Sequence, residues 1–342
     1  PLSEPFFFKN DYKLIKKCID DGWVSTSGKF VDLFEKKISK YTGSKYSIAT
    51  INGTSALHIS LKVAGVSAND EVIVSCLTFI APINAIKYNL ASPIFMDVDN
   101  FCNIDEKKTI EFILNKTQYK NGNTFNINTK KRISAIIIVH VWGNAALFSE
   151  LKLLCEKRNI KIIEDACESL GTFYINGPFK GRYTGTIGSL GCLSFNGNKI
   201  ITSGGGGMIL TNNKLFAEKA RYYINQSKND PFNFIHNEVG FNYKLPSLNS
   251  ALGLTQLEKI GSFINKKRII HNRYIKSVNK ITGLKIISCP KYANNNHWIN
   301  ILCVDEKKYH KSKKKLLKEF LDKNIQVRPL YKLNHLQKPY KN

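Results

Sequence analysis

The residues of this chain best placed to do chemistry stand just past three apolar runs. In "IKIIEDACES" the run delivers Asp165, with Glu168 three residues further on. In "SFNGNKIITSGGGG" (194–207) Lys199 follows "GCLSFN" and is flanked by small residues and by Ile200 and Ile201. In "ATINGTSALHIS" the chain turns at Gly53, and Thr54 and Ser55 open a helical pattern. A carboxylate at a strand end points into the ligand crevice of a parallel sheet. A lysine in apolar surroundings can serve as a nucleophilic amine that condenses with a carbonyl. A helix start with free amides and small hydroxyls is an anion site. Each feature taken alone also has an ordinary reading: an N-cap, a surface acid, a solvated lysine.

The four glycines Gly204–Gly207 invite a phosphate-loop reading, but in such a loop the glycines precede the lysine. Here the lysine comes first. The phosphate site therefore falls to the helix start at Gly53–Ser55. The glycines become backbone that turns tightly beside the amine, and Gly205→Val is expected to cripple cofactor occupancy. A phosphate anchor, a carboxylate for a pyridinium nitrogen and an imine-forming amine are together what pyridoxal 5'-phosphate requires.

The elements that must position these residues alternate. Between Tyr46 and Leu210, β-rich runs ("YSIAT", "DEVIVSC", "SPIFMDVD", "ISAIIIVHV", "IKIIEDA", "GCLSFN", "GMILT") are separated by helical patterns such as "SALHISLKVAG" and "SELKLLCEKRN". This predicts crossover units and a largely parallel sheet covered on both faces, with ligands at the carboxyl ends of its strands. Past Thr211 the pattern changes to "NKLFAEKARYYIN", a helix over roughly Leu248–Asn279, a strand in "HWINILCV", a basic helix near Ser312–Lys323 and a strand "IQVRPL". The division is a large domain over 1–245, with an N-terminal arm, and a smaller α+β domain over 246–342.

Five blocks carry a resemblance in their order: "NGTSALHISL", "EVIVSCLTFIAPINAI", "IIEDACESLG", "LSFNGNKIITSGGGGMI" and "VGFNYKLPSLNSALGLTQLEKI". The chain resembles the DegT/DnrJ/StrS sugar aminotransferases from "PLSEPFF" to "IQVRPLYKLNHLQKPY". The resemblance implies a fold type I pyridoxal phosphate enzyme, with a mostly parallel mixed sheet flanked by helices and a smaller C-terminal α+β domain. It implies that Lys199 is the imine-forming lysine and Asp165 the pyridinium partner. It places Thr54, Ser55 and Ser194 at the phosphate beside Gly53, Phe79 against the ring, and Glu168, where many members carry Gln, beside the ring hydroxyl. Asn242 would reach into a neighbouring subunit's site, making the active unit a homodimer. Arg328 and His335 are candidates for a diphosphate, and Tyr331 stands where a Trp is common.

Glu168, "SFNGNK" and "GGGG" most resemble the branch acting on UDP-linked 4-keto-6-deoxy-N-acetylhexosamines, on routes such as that to legionaminic acid. Lys244 replaces the Arg usual in "NYR". The implied reaction moves an amino group, with glutamate as donor, to the sugar's C4 ketone for bacterial surface-glycan biosynthesis. Dehydratases of the same fold carry His where Lys199 stands, so the lysine favours transfer.

The formal net charge of +25 admits a rival, a basic nucleic-acid-binding protein. The lysines are dispersed from Lys9 to Lys341, however, and "KSKKK" (311–315) is the one dense run. Attraction for a small anionic substrate explains dispersed charge better, so no nucleic acid is expected as a partner. The eight cysteines show no CxxC and no paired spacing, which predicts reduced thiols in a cytoplasmic protein, without zinc. No apolar run approaches the ~20 residues that span a bilayer, so no membrane partner is expected. Native terminal residues are expected beyond Pro1 and Asn342.

Overall fold

The alternation resolves into one central sheet in a computed structural model that describes residues 1–9 and 11–341. Its strands are β1 (Tyr46–Thr50), β2 (Glu71–Ser75), β3 (Ser92–Met96), β4 (Ile133–Val139), β5 (Lys161–Asp165), β6 (Leu190–Ser194) and β7 (Gly207–Thr211). Their order across the sheet is β1-β7-β6-β5-β4-β2-β3. Only β7 runs against its neighbours: Thr50 pairs with Gly207 on one side, and Gly207 with Ser194 on the other. The expected mostly parallel sheet is present, and β7 is what makes it mixed.

The helices of eight residues or more are α1 (Tyr12–Asp20), α2 (Lys29–Thr42), α3 (Gly53–Val63), α4 (Ala81–Tyr88), α5 (Glu106–Lys116), α6 (Ser149–Lys157), α7 (Lys214–Ile224), α8 (Ser247–Glu258), α9 (Ile260–Val278) and α10 (Lys313–Asp322). No helix among the described residues is long and apolar enough to cross a membrane.

Successive side chains of a strand face opposite sides, and here both sides are apolar. Along β4, Ala135, Ile137 and Val139 enter a core shared with Ile59 and Leu61 of α3, while Ile136 and Ile138 enter a second core with Leu151 and Cys155 of α6. The same alternation splits the two acids of β5. Glu164 turns to a buried pair with His140 at 2.9 Å and also accepts the amides of Gly185, Ile187 and Gly188. Burial opposes its charge, but His140 and these amides hold its carboxyl below the ordinary range. Asp165 is left to face the strand-end crevice.

Three sequence expectations need correction. "IQVRPL" forms no strand, and of "HWINILCV" only Leu302–Val304 does, paired with Leu284–Ile286. The long helix expected over Leu248–Asn279 breaks at Lys259 into α8 and α9. Residue 246 precedes α8, and α8 packs into the main core: Ala251, Leu254 and Leu257 lie in the cluster that holds Phe34 of α2. A Cβ on Gly253 would come within 2.6 Å of the Phe34 ring, so the two helices need glycine to approach this closely.

Candidate active site

All of the parallel strands except the edge strand β3 deliver residues to one edge, and their carboxyl ends enclose a cavity of about 310 Å³. β1 leads through Asn52 to the start of α3, which contributes Gly53, Thr54 and Leu57. Thr78 and Phe79 come from the turn after β2, Val139 closes β4, and Asp165 closes β5 with Cys167 and Glu168 just beyond. Ser194 ends β6, and Asn196, Asn198 and Lys199 come directly after it. Trp298 and Tyr331, from the C-terminal part of the chain, complete the wall.

The side chain of Lys199 is only 14% exposed, and its amine lies 3.8 Å from Oε1 of Glu168. The amine sits 4.3 Å from the centroid of the Trp298 ring, a cation–π distance. The Trp298 indole is fixed in turn by donating to the carbonyl of Asn198 at 2.6 Å. Asp165 is 6% exposed and accepts the Cys167 amide at 3.1 Å. Burial pushes its carboxyl above the ordinary value, opposed by Cys167 and by the positive charge of Lys199. Glu168 is raised by burial as well, against Lys199 and the Trp142 amide that donates to Oε2 at 2.7 Å. Trp142 supplies that amide from a left-handed backbone (φ 54°), a conformation a bulky residue holds only under constraint. The Tyr331 hydroxyl donates to the other Glu168 oxygen at 3.4 Å.

Gly53, Thr54, Phe79, Asp165, Glu168, Ser194, Lys199 and Tyr331 thus meet in one cavity, while four other expected residues lie outside it. Ser55 is buried, and its amide, expected to be free, donates to the Asn52 side chain at 2.8 Å. That leaves Asn52 as the true N-cap and Thr54 as the hydroxyl facing the cavity. Gly53 is the first residue of the helix rather than a tight turn, and close approach explains it: a Cβ there would meet Cys167 Sγ at 2.8 Å and Ser194 Cβ at 2.9 Å. Arg328 is exposed and donates to the carbonyl of Val327, and His335 packs near Phe95. Asn242 is exposed. Lys244 lines a separate cavity of about 330 Å³ that holds the Glu35–Arg221 ion pair.

Sequence reasoning missed Trp298, Asn52 and the Trp142 amide. An Asn three residues before a helical Ser is a capping signal that could have found Asn52. Trp298 and Trp142 reach the site through loops, where no periodicity marks them.

The glycines also sort differently from expectation. Gly204 and Gly206 take positive φ (79° and 149°), and a Cβ on Gly207 would come within 2.5 Å of the Asn52 backbone. Gly205 has an ordinary backbone, and only the Ile51 carbonyl, at 3.9 Å, lies near its Cβ position.

A secluded amine, a buried carboxyl that a cation would stabilise, two hydroxyls beside a helix start and an aromatic ring on one wall form a donor set that suits pyridoxal 5'-phosphate. On this sheet they define a fold type I pyridoxal phosphate-dependent transferase. Residues 8–342 match the DegT/DnrJ/EryC1/StrS aminotransferase family, and the chain belongs to that family. It is 32% identical over 341 residues to a GDP-perosamine synthase of Escherichia coli O157:H7, covering 99% of this chain and 86% of that one. It is 32% identical over 338 residues to EpsN of Bacillus subtilis (strain 168), described as a putative pyridoxal phosphate-dependent aminotransferase, covering 98% and 82%. A crystal structure of a DegT DnrJ EryC1 StrS aminotransferase from Brucella abortus superposes with a TM-score of 0.85 at 25% identity, covering 97% of this chain and 83% of that one.

Proposed function

We propose that this enzyme transfers an amino group from glutamate to C4 of a UDP-linked 4-keto-6-deoxy-N-acetylhexosamine, for surface-glycan biosynthesis. The observation that carries the reading is the convergence of Lys199, Asp165, Thr54 and Ser194 on one strand-end cavity in a chain of this family. Bound pyridoxal phosphate supplies a carbonyl that takes up the amino group and an electron-accepting ring that eases bond breaking at the neighbouring carbon.

The chain's own residues do the rest. Nζ of Lys199 holds the cofactor at rest. Once released, it takes a proton from the donor's α-carbon and later returns one to C4 of the sugar. Asp165 keeps the ring nitrogen protonated, since a carboxyl raised by burial gains most from a cation placed against it. Thr54 and Ser194 would hold the phosphate, and Phe79 would pack against the ring. Glu168, oriented by Trp142 and Tyr331, sits within reach of Lys199 and of the incoming sugar. Trp298 shields the amine from water on its open side.

The UDP form rests on the resemblance of Glu168, "SFNGNK" and "GGGG", whereas the name of the Escherichia coli relative points to a GDP-linked sugar. Incubating the holoenzyme with glutamate and each 4-keto sugar in turn separates the two. Formation of 2-oxoglutarate with the UDP sugar alone is the expected result. Turnover of the GDP sugar alone overturns the UDP form, and 2-oxoglutarate with neither overturns the aminotransfer to a 4-keto sugar.

A further inference from the structure

Three side chains outside the cavity face one another in the C-terminal part of the chain. His271 comes from α9, Cys289 from the segment after Leu284–Ile286, and His297 from the loop that carries Trp298. Their candidate ligand atoms lie within 4.8 Å of one another. Cys289 Sγ is 3.5 Å from Nδ1 of His297 and 4.0 Å from Nε2 of His271. The two imidazoles stack at 4.3 Å with 26° between their planes. Bonds of about 2.3 Å from zinc to sulfur and about 2.0–2.1 Å to nitrogen set tetrahedral ligand atoms on the order of 3.3–3.6 Å apart. The Cys289–His297 separation already has that value; His271 Nε2 must close by a few tenths of an ångström on the sulfur, and its separation from the His297 nitrogen lies within 4.8 Å.

We infer that His271, Cys289 and His297 form a binding site for a transition-metal ion of the zinc class, with a fourth position left for water. A Cys-His-His set is the ligand chemistry of zinc, and three protein ligands leave one position open.

Two further features of the cluster fit this site. Nδ1 of His271 lies 2.6 Å from Oδ1 of Asn300, an acceptor only, so Nδ1 carries the proton and Nε2 presents its lone pair to the sulfur. The backbone at His297 is left-handed (φ 52°), a sparsely populated conformation for a residue other than glycine. Cys289 ligates as the thiolate, so ligation breaks its S–H bond: the sulfur keeps the electron pair for the metal and the proton leaves to solvent. Two charged side chains of α9 lie beside the cluster: Arg268, bonded to Asn294, and Lys267, bonded to the Trp298 carbonyl. Spacing among the cysteines alone predicted no zinc, because two of the three ligands are histidines brought in from a helix and a loop. The inference does not depend on the role of Lys199, since none of the three residues lines the cavity.

The test loads the pyridoxal phosphate holoenzyme with Zn²⁺, removes excess ion by gel filtration and measures metal per chain. One ion per chain is expected, with apparent affinity rising with pH, as release of the thiol proton requires. Cys289→Ser should weaken binding by about 100-fold or more and Asn300→Ala by about tenfold, whereas Cys303→Ser, at an exposed thiol elsewhere, should leave it unchanged. Because the ligand variants could fold poorly, Co²⁺ is added to the unmutated holoenzyme as well, where a thiolate-to-cobalt absorption band is expected. Absence of that band, no retained zinc, or retention undiminished in well-folded Cys289→Ser each overturns the site.

Discussion

Asp165 and Glu168 are two carboxyls sharing one small cavity with one amine, and their energetics come from that company. Burial raises both, the charge of Asp165 raises Glu168 further, and Lys199 pulls both down. A carboxyl raised above its unfolded value binds its proton more tightly in the folded chain. Its contribution to stability is therefore fully present below the unfolded pKa and is lost as pH rises through the folded one. For Asp165 that window opens at the ordinary value of 3.8 and extends upward. Asp165→Asn cannot titrate, and its side-chain oxygen still accepts the Cys167 amide. In the cofactor-free protein the variant should gain stability relative to the parent as pH climbs through this window. Thermal melts of both proteins at a series of pH values give the difference curve, and a flat curve would show that Asp165 is not raised.

At the scale of elements, the strands are legible in the sequence and the joints between them are not. Runs such as "ISAIIIVHV" are apolar on both faces, so period and composition agree on β4. The crossover from β6 to β7 is harder, because four identical glycines conceal three different demands. Gly206 sits at φ 149° against Ser203 and Leu245, Gly207 presses on the Asn52 backbone, and Gly205 is free of both constraints. The backbone constraint lies at Gly206 and not at Gly205. Gly206→Ala should cost about 1–3 kcal/mol, the range for a strained backbone, while Gly205→Ala should stay within about 0.5 kcal/mol of the parent. Urea unfolding of the two variants provides the comparison, and equal losses would refute this assignment of roles along the loop.

At the scale of the whole molecule, what the sequence could not show is what distant segments bring together. Asp165 and Lys199 were legible because strand ends announce them. Trp298 was not, since it reaches Lys199 from about a hundred residues away through a loop with no period of its own. The same holds for what lies beyond one chain. Phe232 is 88% exposed and Val239 80%, with Phe234 and Ile235 exposed between them and Asn242 just after. Apolar surface gathered in one segment marks an interface. The homodimer that the family resemblance implies would seat a second copy of the chain there, with Asn242 donating to the partner's phosphate site. If so, each site draws Lys199 from one chain and Asn242 from the other. Lys199→Ala and Asn242→Ala homodimers would then each be impaired in both sites, yet a mixed dimer would contain one intact site. Co-refolding equal amounts makes half of the dimers mixed, so activity should recover to about a quarter of the parent's, as two-fold symmetry requires. Recovery no greater than the mean of the two separate variants would mean that Asn242 serves its own chain or none.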